Sequence, residues 1–224
     1  MKSMKHLFFP ILAAASLLLA CGDATQDDAP VSASSESAAS GSNLADGLYV
    51  INKVKPRVTW SAQKLTGEGH EGTLAIASGK FKVTDGVISE GVVVFDMSQI
   101  EVTDLTGDSK ANLEGHLRSG DFFNVEEHPQ AILNVTGIST SAEGDVLNGT
   151  LTLNGKSVDY SVPVTVSETE VPGDVAGVSI QGKFNLDRTK HDIIYHSKTF
   201  DDKLDWFIKD EVAVGFAVIG VPAN

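Results

Sequence analysis

At 224 residues, with 42% hydrophobic content and seven prolines, the chain is long enough for one ordinary domain plus a tail and too apolar to be disordered throughout. Thirty acidic residues against 17 basic ones give a net charge of −13, a surface that repels the nucleic-acid backbone and suits anionic lipid poorly. The single cysteine, Cys21, rules out a disulfide framework.

The N-terminus has the layout of an export signal. Lys2 and Lys5 precede an apolar run from Leu7 to Ala20 that is too short and too early for a membrane span. The run ends in Leu18-Leu19-Ala20-Cys21, which resembles the bacterial lipobox, where a small residue precedes the cysteine that is lipidated and becomes the new terminus. Residues 1–20 are thus expected to be a lipoprotein signal peptide and Cys21 the lipidation site, with several acyl chains meeting the need for more than one anchor. Removing that segment takes away Lys2 and Lys5 and no acid, so 15 basic residues face 30 acids and the net charge becomes −15. Gly22 rather than Asp follows the cysteine, which points to an exported protein lipid-anchored in the periplasm at the outer membrane. Residues 21–46, rich in Ala, Ser, Asp, Gln and Gly, bury too little apolar surface to order and read as a tether of about 25–30 Å r.m.s. span.

The folded domain is expected at 47–224, and its segments alternate with period two. Leu48 to Ile51 leads to Val58-Thr-Trp-Ser-Ala62, where Val58, Trp60 and Ala62 share a face. Short strands follow at Thr73–Ala77 and Lys80–Val83, then a turn at Asp85-Gly86 and a long strand from Val87 to Met97. Val93, Phe95 and Met97 alternate there with Val92, Val94 and Asp96, a pattern that predicts cover on both faces. Residues 98–130 break the rhythm, with a turn or two of helix predicted over Asn112–Leu117. Strands resume at Ala131–Val135, Leu147–Leu153 and Ser157–Val166, the last two joined by Asn154-Gly155 in a hairpin. An acidic loop is predicted over Ser167–Ala176, followed by strands at Val178–Leu186 and Glu211–Val221. Eight or nine strands without a long helix make an all-β antiparallel barrel or sandwich.

Several motifs lose to plainer readings. Gly155-Lys156-Ser157 has Thr150 where a phosphate-binding loop needs Gly, and it lies in a strand-turn-strand context. His70, His116, His128, His191 and His196 lack helical pair spacing for a metal site, and no metal or other cofactor is expected. Ser119, Asp121 and His116 or His128 invite a hydrolase triad, but no Gly-x-Ser-x-Gly elbow accompanies them, so no catalytic residue is assigned and the chain is not read as an enzyme. Asn134-Val-Thr136 and Asn148-Gly-Thr150 match a glycosylation pattern that has no role behind a bacterial lipobox. Asp187-Arg188 with Asp192 reads as a structural ion pair or loop cap.

The segment Gly115-His-Leu-Arg-Ser-Gly-Asp-Phe-Phe-Asn-Val-Glu-Glu-His-Pro129 stands apart, with two aromatics, two histidines, an arginine and three acids. Together with Val58-Thr-Trp60, Gly149-Thr-Leu-Thr-Leu-Asn-Gly-Lys156, Phe184-Asn-Leu-Asp-Arg-Thr189 and Ile208-Lys-Asp-Glu-Val212, it resembles the YceI-like family of lipid-binding, lipocalin-like barrel proteins over Gly47 to Val221. The lipobox, the tether and Gly69-His70-Glu71-Gly72 depart from the soluble members. The resemblance implies an extended eight-stranded antiparallel barrel, lipocalin-like, with a short helical or loop insertion near 98–130 and an apolar cavity for a polyisoprenoid or similar amphiphilic lipid. The inward apolar residues Trp60, Phe81, Phe95, Leu133, Tyr160, Phe184 and Phe216 fit the wall of such a cavity, and equally a filled core. Phe122 and Phe123 are expected to plug one side, with Arg118 and Asp121 tying their loop down. The resulting expectation is a membrane-tethered carrier or store for an isoprenoid-quinone-like or polyisoprenoid lipid; a structural or protein-interaction barrel with a filled core is the alternative.

Overall fold

Strands that are apolar on one face need a second layer or must curl onto themselves, and this chain does the latter. The computed structural model describes residues 44–52, 57–173 and 175–223. The signal peptide, Cys21 and most of the tether lie outside them. In chain order the elements are β1 (Gly47–Ile51), β2 (Arg57–Gln63), β3 (Gly69–Thr84), β4 (Val87–Val102), α1 (Gly107–Arg118), β5 (Gln130–Ser141), β6 (Gly144–Leu153), β7 (Lys156–Val171), β8 (Val175–Asp187), a 3-10 turn (Arg188–His191) and β9 (Glu211–Pro222).

All pairings are antiparallel, and β3 with β4 closes the sheet that otherwise runs β3-β2-β9-β8-β7-β6-β5-β4. The nine strands fill eight positions. β1 and β2 both lie between β3 and β9, β1 against Lys80–Val83 and Gly220–Pro222, β2 against Gly69–Thr73 and Ala213–Ala217. The result is the expected eight-stranded all-β barrel with one short helix. The turns at Asp85-Gly86 and Asn154-Gly155 have positive φ at both residues, 53° and 76°, then 49° and 72°, as a two-residue hairpin with right-twisted strands demands.

Four elements differ from the sequence expectation. The two short strands at 73–83 are one 16-residue strand, β3, whose register shifts between Thr73 and Ala75 and between Ile76 and Ser78; bulges there restore the inward alternation. The acidic stretch 167–176 is not a loop but the tip of the β7–β8 hairpin, because Ser167, Thr169 and their neighbours pair with Ser179 and Gly177. β4 runs five residues beyond Met97, to Val102, and the helix begins at Gly107 rather than Asn112. No second layer is described over Val92 and Val94, which remain half-buried on the outer face.

The barrel has two dissimilar ends. At the far end, tight turns follow β3, β5 and β7, and Leu44, Tyr49, Phe81, Val83 and Ile88 form a buried cluster. There Leu44 N–H donates to Gly86 O at 3.2 Å and Gly86 N–H donates to Asp46 Oδ1 at 3.0 Å. The other end, here the helix end, carries α1 and the long excursion between β8 and β9. Glu114 of α1 accepts the Val102 N–H at 2.9 Å, and that bond, helped by Lys110 and Arg118, holds its carboxyl below the usual range. Arg118 donates to Ser98 O at 3.1 Å and Ile100 O at 2.9 Å, so the helix is fastened to the strand before it.

The excursion after β8 is organised around two buried polar residues. Arg188 is 3% exposed, and its guanidinium donates to the carbonyls of Ile193, Ile208 and Lys209 at 2.7, 3.2 and 3.1 Å, with Asp210 Oδ1 at 3.4 Å. Thus Arg188 pairs with Asp210, while Asp187 caps the turn by accepting from Thr189 N–H at 3.0 Å. His191 is 0% exposed, with Nδ1 3.0 Å from Lys156 O and Nε2 3.0 Å from Tyr160 Oη. A carbonyl only accepts, so the neutral ring carries its proton on Nδ1 and Nε2 accepts from the phenol. Burial, and secondarily the Asp187 charge, pushes that phenol up to about 12, which keeps it a donor.

Replacing Arg188 with Met strands three buried carbonyls, so Arg188→Met is expected to cost at least about 3 kcal/mol in urea unfolding. Burial also pulls the His191 imidazole below its ordinary 6.5. The unfolded state therefore takes up this proton first as pH falls. The His191 contribution is complete above about pH 6.5 and is lost below it, towards the folded pKa. Urea midpoints of the native chain should fall more steeply from about pH 7 to about pH 5 than those of His191→Gln. Parallel profiles would mean that His191 is not held neutral.

Candidate functional site

Inside the barrel lies a cavity with about 220 Å³ of room for the centres of water-sized groups. At about 10–15 Å³ per such group, that is space for on the order of fifteen methylenes. The surface turned to the space is apolar; Thr59, Trp60, Lys80, Tyr160 and Arg188 also border it, the last two with their polar atoms turned into the hydrogen bonds described above. A surface of this kind offers no base, nucleophile or metal ligand. It can hold a guest only by taking apolar surface out of water.

The structure brings all nine expected lining residues to this wall: Trp60, Phe81, Phe95, Phe122, Phe123, Leu133, Tyr160, Phe184 and Phe216. They come from seven strands and the loop after α1, because one-residue alternation turns every second side chain of a closed sheet inward. Phe81 stacks on Tyr49 at 5.2 Å, with the ring planes parallel, and closes the far end with Leu44 nearby. At the helix end Phe122 and Phe123 close over Ile100, Val102, Leu117 and Ile193. Their loop is held by Phe123 N–H to Leu117 O at 3.1 Å and by Asn124, whose φ of 44° turns the chain left-handed.

Sequence reasoning missed Leu74, Ile100, Leu117, Ile193 and Ile208 on the wall. Leu74 keeps the alternation of Ile76 on β3 and was within reach of it, whereas Ile100 breaks the alternation of Val93, Phe95 and Met97, because the β3–β4 register shifts between Asp96 and Glu101 and turns Ile100 and Val102 inward. Ile193 and Ile208 sit in the irregular excursion, where no period marks them. Among the described residues, the buried side-chain polar atom without a partner is Trp60 Nε1, on an indole packed over Gly72.

The polar residues of the segment 115–129 lie at the rim. His116 Nε2 is 2.7 Å from Asp121 Oδ2, and the imidazole meets Phe122 and Tyr195 edge-on at 5.2 and 5.0 Å. Ser119 donates to His116 O at 2.7 Å and accepts the Asp121 N–H at 3.3 Å, so its hydroxyl finishes the helix rather than facing an imidazole. His128 lies against Gly155, in the turn between β6 and β7. Asp121 holds His116, and Arg118 holds β4; between them the loop is tied down as its sequence suggests. The remaining histidines bond to a carboxylate or to backbone: His70 to Asp104 at 2.8 Å and His196 to Trp206 O at 3.0 Å.

Comparison with known proteins gives the same architecture. The crystal structure of Burkholderia cenocepacia BcnA and the structure of a polyisoprenoid binding domain from Saccharophagus degradans, implicated in plant cell wall breakdown, superpose with TM-scores of 0.60 and 0.58. They are 18% and 14% identical, over 75% and 78% of this chain and 98% of each of theirs, and so share the fold. Among curated sequences, a UPF0312 protein of Ectopseudomonas mendocina is 36% identical over 81 residues, 34% of this chain and 42% of that protein. Protein YceI of Escherichia coli is 29% identical over 114 residues, 48% and 60% of the two chains. The matched stretches thus span less than two thirds of those relatives' length. The YceI-like domain model, by contrast, matches residues 49–219, nearly the whole barrel, and the chain belongs to the YceI-like family.

Proposed function

We propose that the barrel binds a single hydrophobic or amphipathic lipid, of polyisoprenoid or isoprenoid-quinone character, and stores or carries it beside a membrane to which Cys21 anchors the protein. The observation that carries this reading is the wholly apolar cavity walled by aromatic rings. Each methylene moved from water into it contributes about 0.8 kcal/mol, so fifteen contribute about 12 kcal/mol before the cost of immobilising the chain. A filled structural core is disfavoured by that same space. The description of the Saccharophagus barrel as polyisoprenoid-binding supports the choice of lipid, and the apolar-run-then-cysteine pattern supports the anchor. No polar group faces the space, so binding rather than catalysis is the proposed activity.

Protein purified from its own host is expected to release a lipid on organic extraction and to show the matching mass increment by native mass spectrometry. An empty barrel that also refuses isoprenoid quinones and polyprenols sinks the proposal. Opening the helix-end closure with Phe122→Ala and Phe123→Ala together should speed lipid release by about tenfold or more, since each lost ring removes over 1.4 kcal/mol of contact. Unchanged release from a stable double variant would make the loop a mere connection. Cys21→Ser should move the protein from the membrane to the soluble fraction; membrane retention by that variant would remove the anchor from the proposal.

A further inference from the structure

Three aromatic rings of the cavity wall lie where a neighbouring side chain would be, because that neighbour is glycine. Gly182 of β8 stands directly opposite Phe216 of β9, and a Cβ on it would be 2.6 Å from Phe216 Cζ and 2.9 Å from Cε1. Gly72 of β3 is opposite Trp60 of β2, where a Cβ would first strike the Glu101 carbonyl of β4 and would also be 2.6 Å from Trp60 Cζ2 and 2.7 Å from Cε2, so this glycine serves the β3–β4 approach as well as the ring. A Cβ on Gly220 of β9 would collide with Cε1 and Cζ of Phe81, which reaches across from β3. Carbon atoms in contact sit about 3.5–4.0 Å apart, so each ring occupies the volume of the missing side chain.

Glycine inside a strand weakens it by loss of entropy and of packing, and an aromatic laid across it is a known compensation. Here the compensation also has a spatial effect. A ring pressed flat on the sheet leaves the middle of the barrel open, whereas a ring displaced by a methyl group must swing towards the axis. The three pairs occupy different positions along the strands. Trp60 packs with Ile100, Val102 and Leu117 at the helix end, Phe216 packs against the helix-facing side of the far-end cluster, four residues before Gly220 on β9, and Phe81 stacks on Tyr49 within that cluster.

We propose that Gly182 and Gly220 are specificity-determining residues that set how far along the barrel a hydrocarbon chain passes. The inference rests on the lipid-binding reading and deepens it. Because the far end is closed by tight turns and the Tyr49–Phe81 stack, the chain threads from the helix end, past Trp60, then Phe216, then Phe81. The preferred guest is a slender chain whose polar group stays at the rim, with length selected by the deeper glycines.

The test uses the full chain with Trp206→Phe, which leaves Trp60 as the fluorescent reporter on the wall, and three alcohols of increasing length: geraniol, farnesol and geranylgeraniol. Native wall residues should accept all three, with affinity rising along the series. Gly182→Ala should keep geraniol and lose geranylgeraniol affinity by about tenfold or more, and Gly220→Ala should weaken only the longest alcohol. The atoms nearest a Cβ at Gly220 belong to the side chains of Phe81 and Tyr49 and not to backbone, which makes that variant the safer one for folding. Adding Phe216→Leu to Gly182→Ala should restore geranylgeraniol, which a general loss of stability does not permit. Affinities for geranylgeraniol within about twofold of native in both glycine variants, or equal losses for all three alcohols, overturn the assignment while leaving lipid binding intact. Failure of the native wall to bind any of the three overturns both.

Discussion

The pairing of β3 with β4 is the contact on which the rest depends. Without it the sheet has two open edges and a curled apolar face exposed to water; with it every strand has two neighbours and the interior becomes a separate phase. Closure explains why the described residues, with one short α-helix among them, have an interior at all. It also explains the bulges in β3, since the strand pairs with β1 and β2 on one side and with β4 on the other and must bend to serve both. The apolar cavity is thus a consequence of sheet geometry, and its chemistry is set by which side chains the alternation turns inward.

The helix end shows how a polar segment and an apolar interior coexist. Arg188 and His191 are buried, yet the guanidinium is met by three carbonyls and the Asp210 carboxylate, and the imidazole by a carbonyl and a phenol, so their polar atoms are spent on the protein and not on the cavity. Arg118, Glu114, Asp121 and His116 do similar work on the exposed side, fastening α1 and its loop so that Phe122 and Phe123 face inward. Polar bonds supply position here, and burial of the rings supplies the driving force.

Much of this was legible in the sequence because the relevant signals are local. Asp85-Gly86 and Asn154-Gly155 announce their turns, and period-two alternation identifies Phe95, Leu133, Phe184 and Phe216 as sharing the inward face. Where the period breaks, at Ile76-Ala77-Ser78, a continuous bulged strand looks like two short ones. At Ser167–Glu170 both neighbours are polar, since the hairpin tip projects into water, and alternation has nothing to report. The Arg188 corner draws its carbonyls from residues 193 to 209 in an irregular excursion, so no spacing rule reveals it. The seating of Phe216 on Gly182 and of Phe81 on Gly220 depends on cross-strand register, which becomes known only when the sheet is assembled.

Leu44 brings the polypeptide into the barrel at the far end, opposite α1 and the rim. If Cys21 is held in a bilayer, 23 residue steps separate the anchor from that point, and at about 3.5 Å each they reach at most about 80 Å. β4, with 16 residues, covers about 50 Å along its own length. That upper bound exceeds the length of β4. Under the proposed anchor, the number of residues between Cys21 and Leu44 therefore sets whether the helix end could reach the same membrane as well as point away from it.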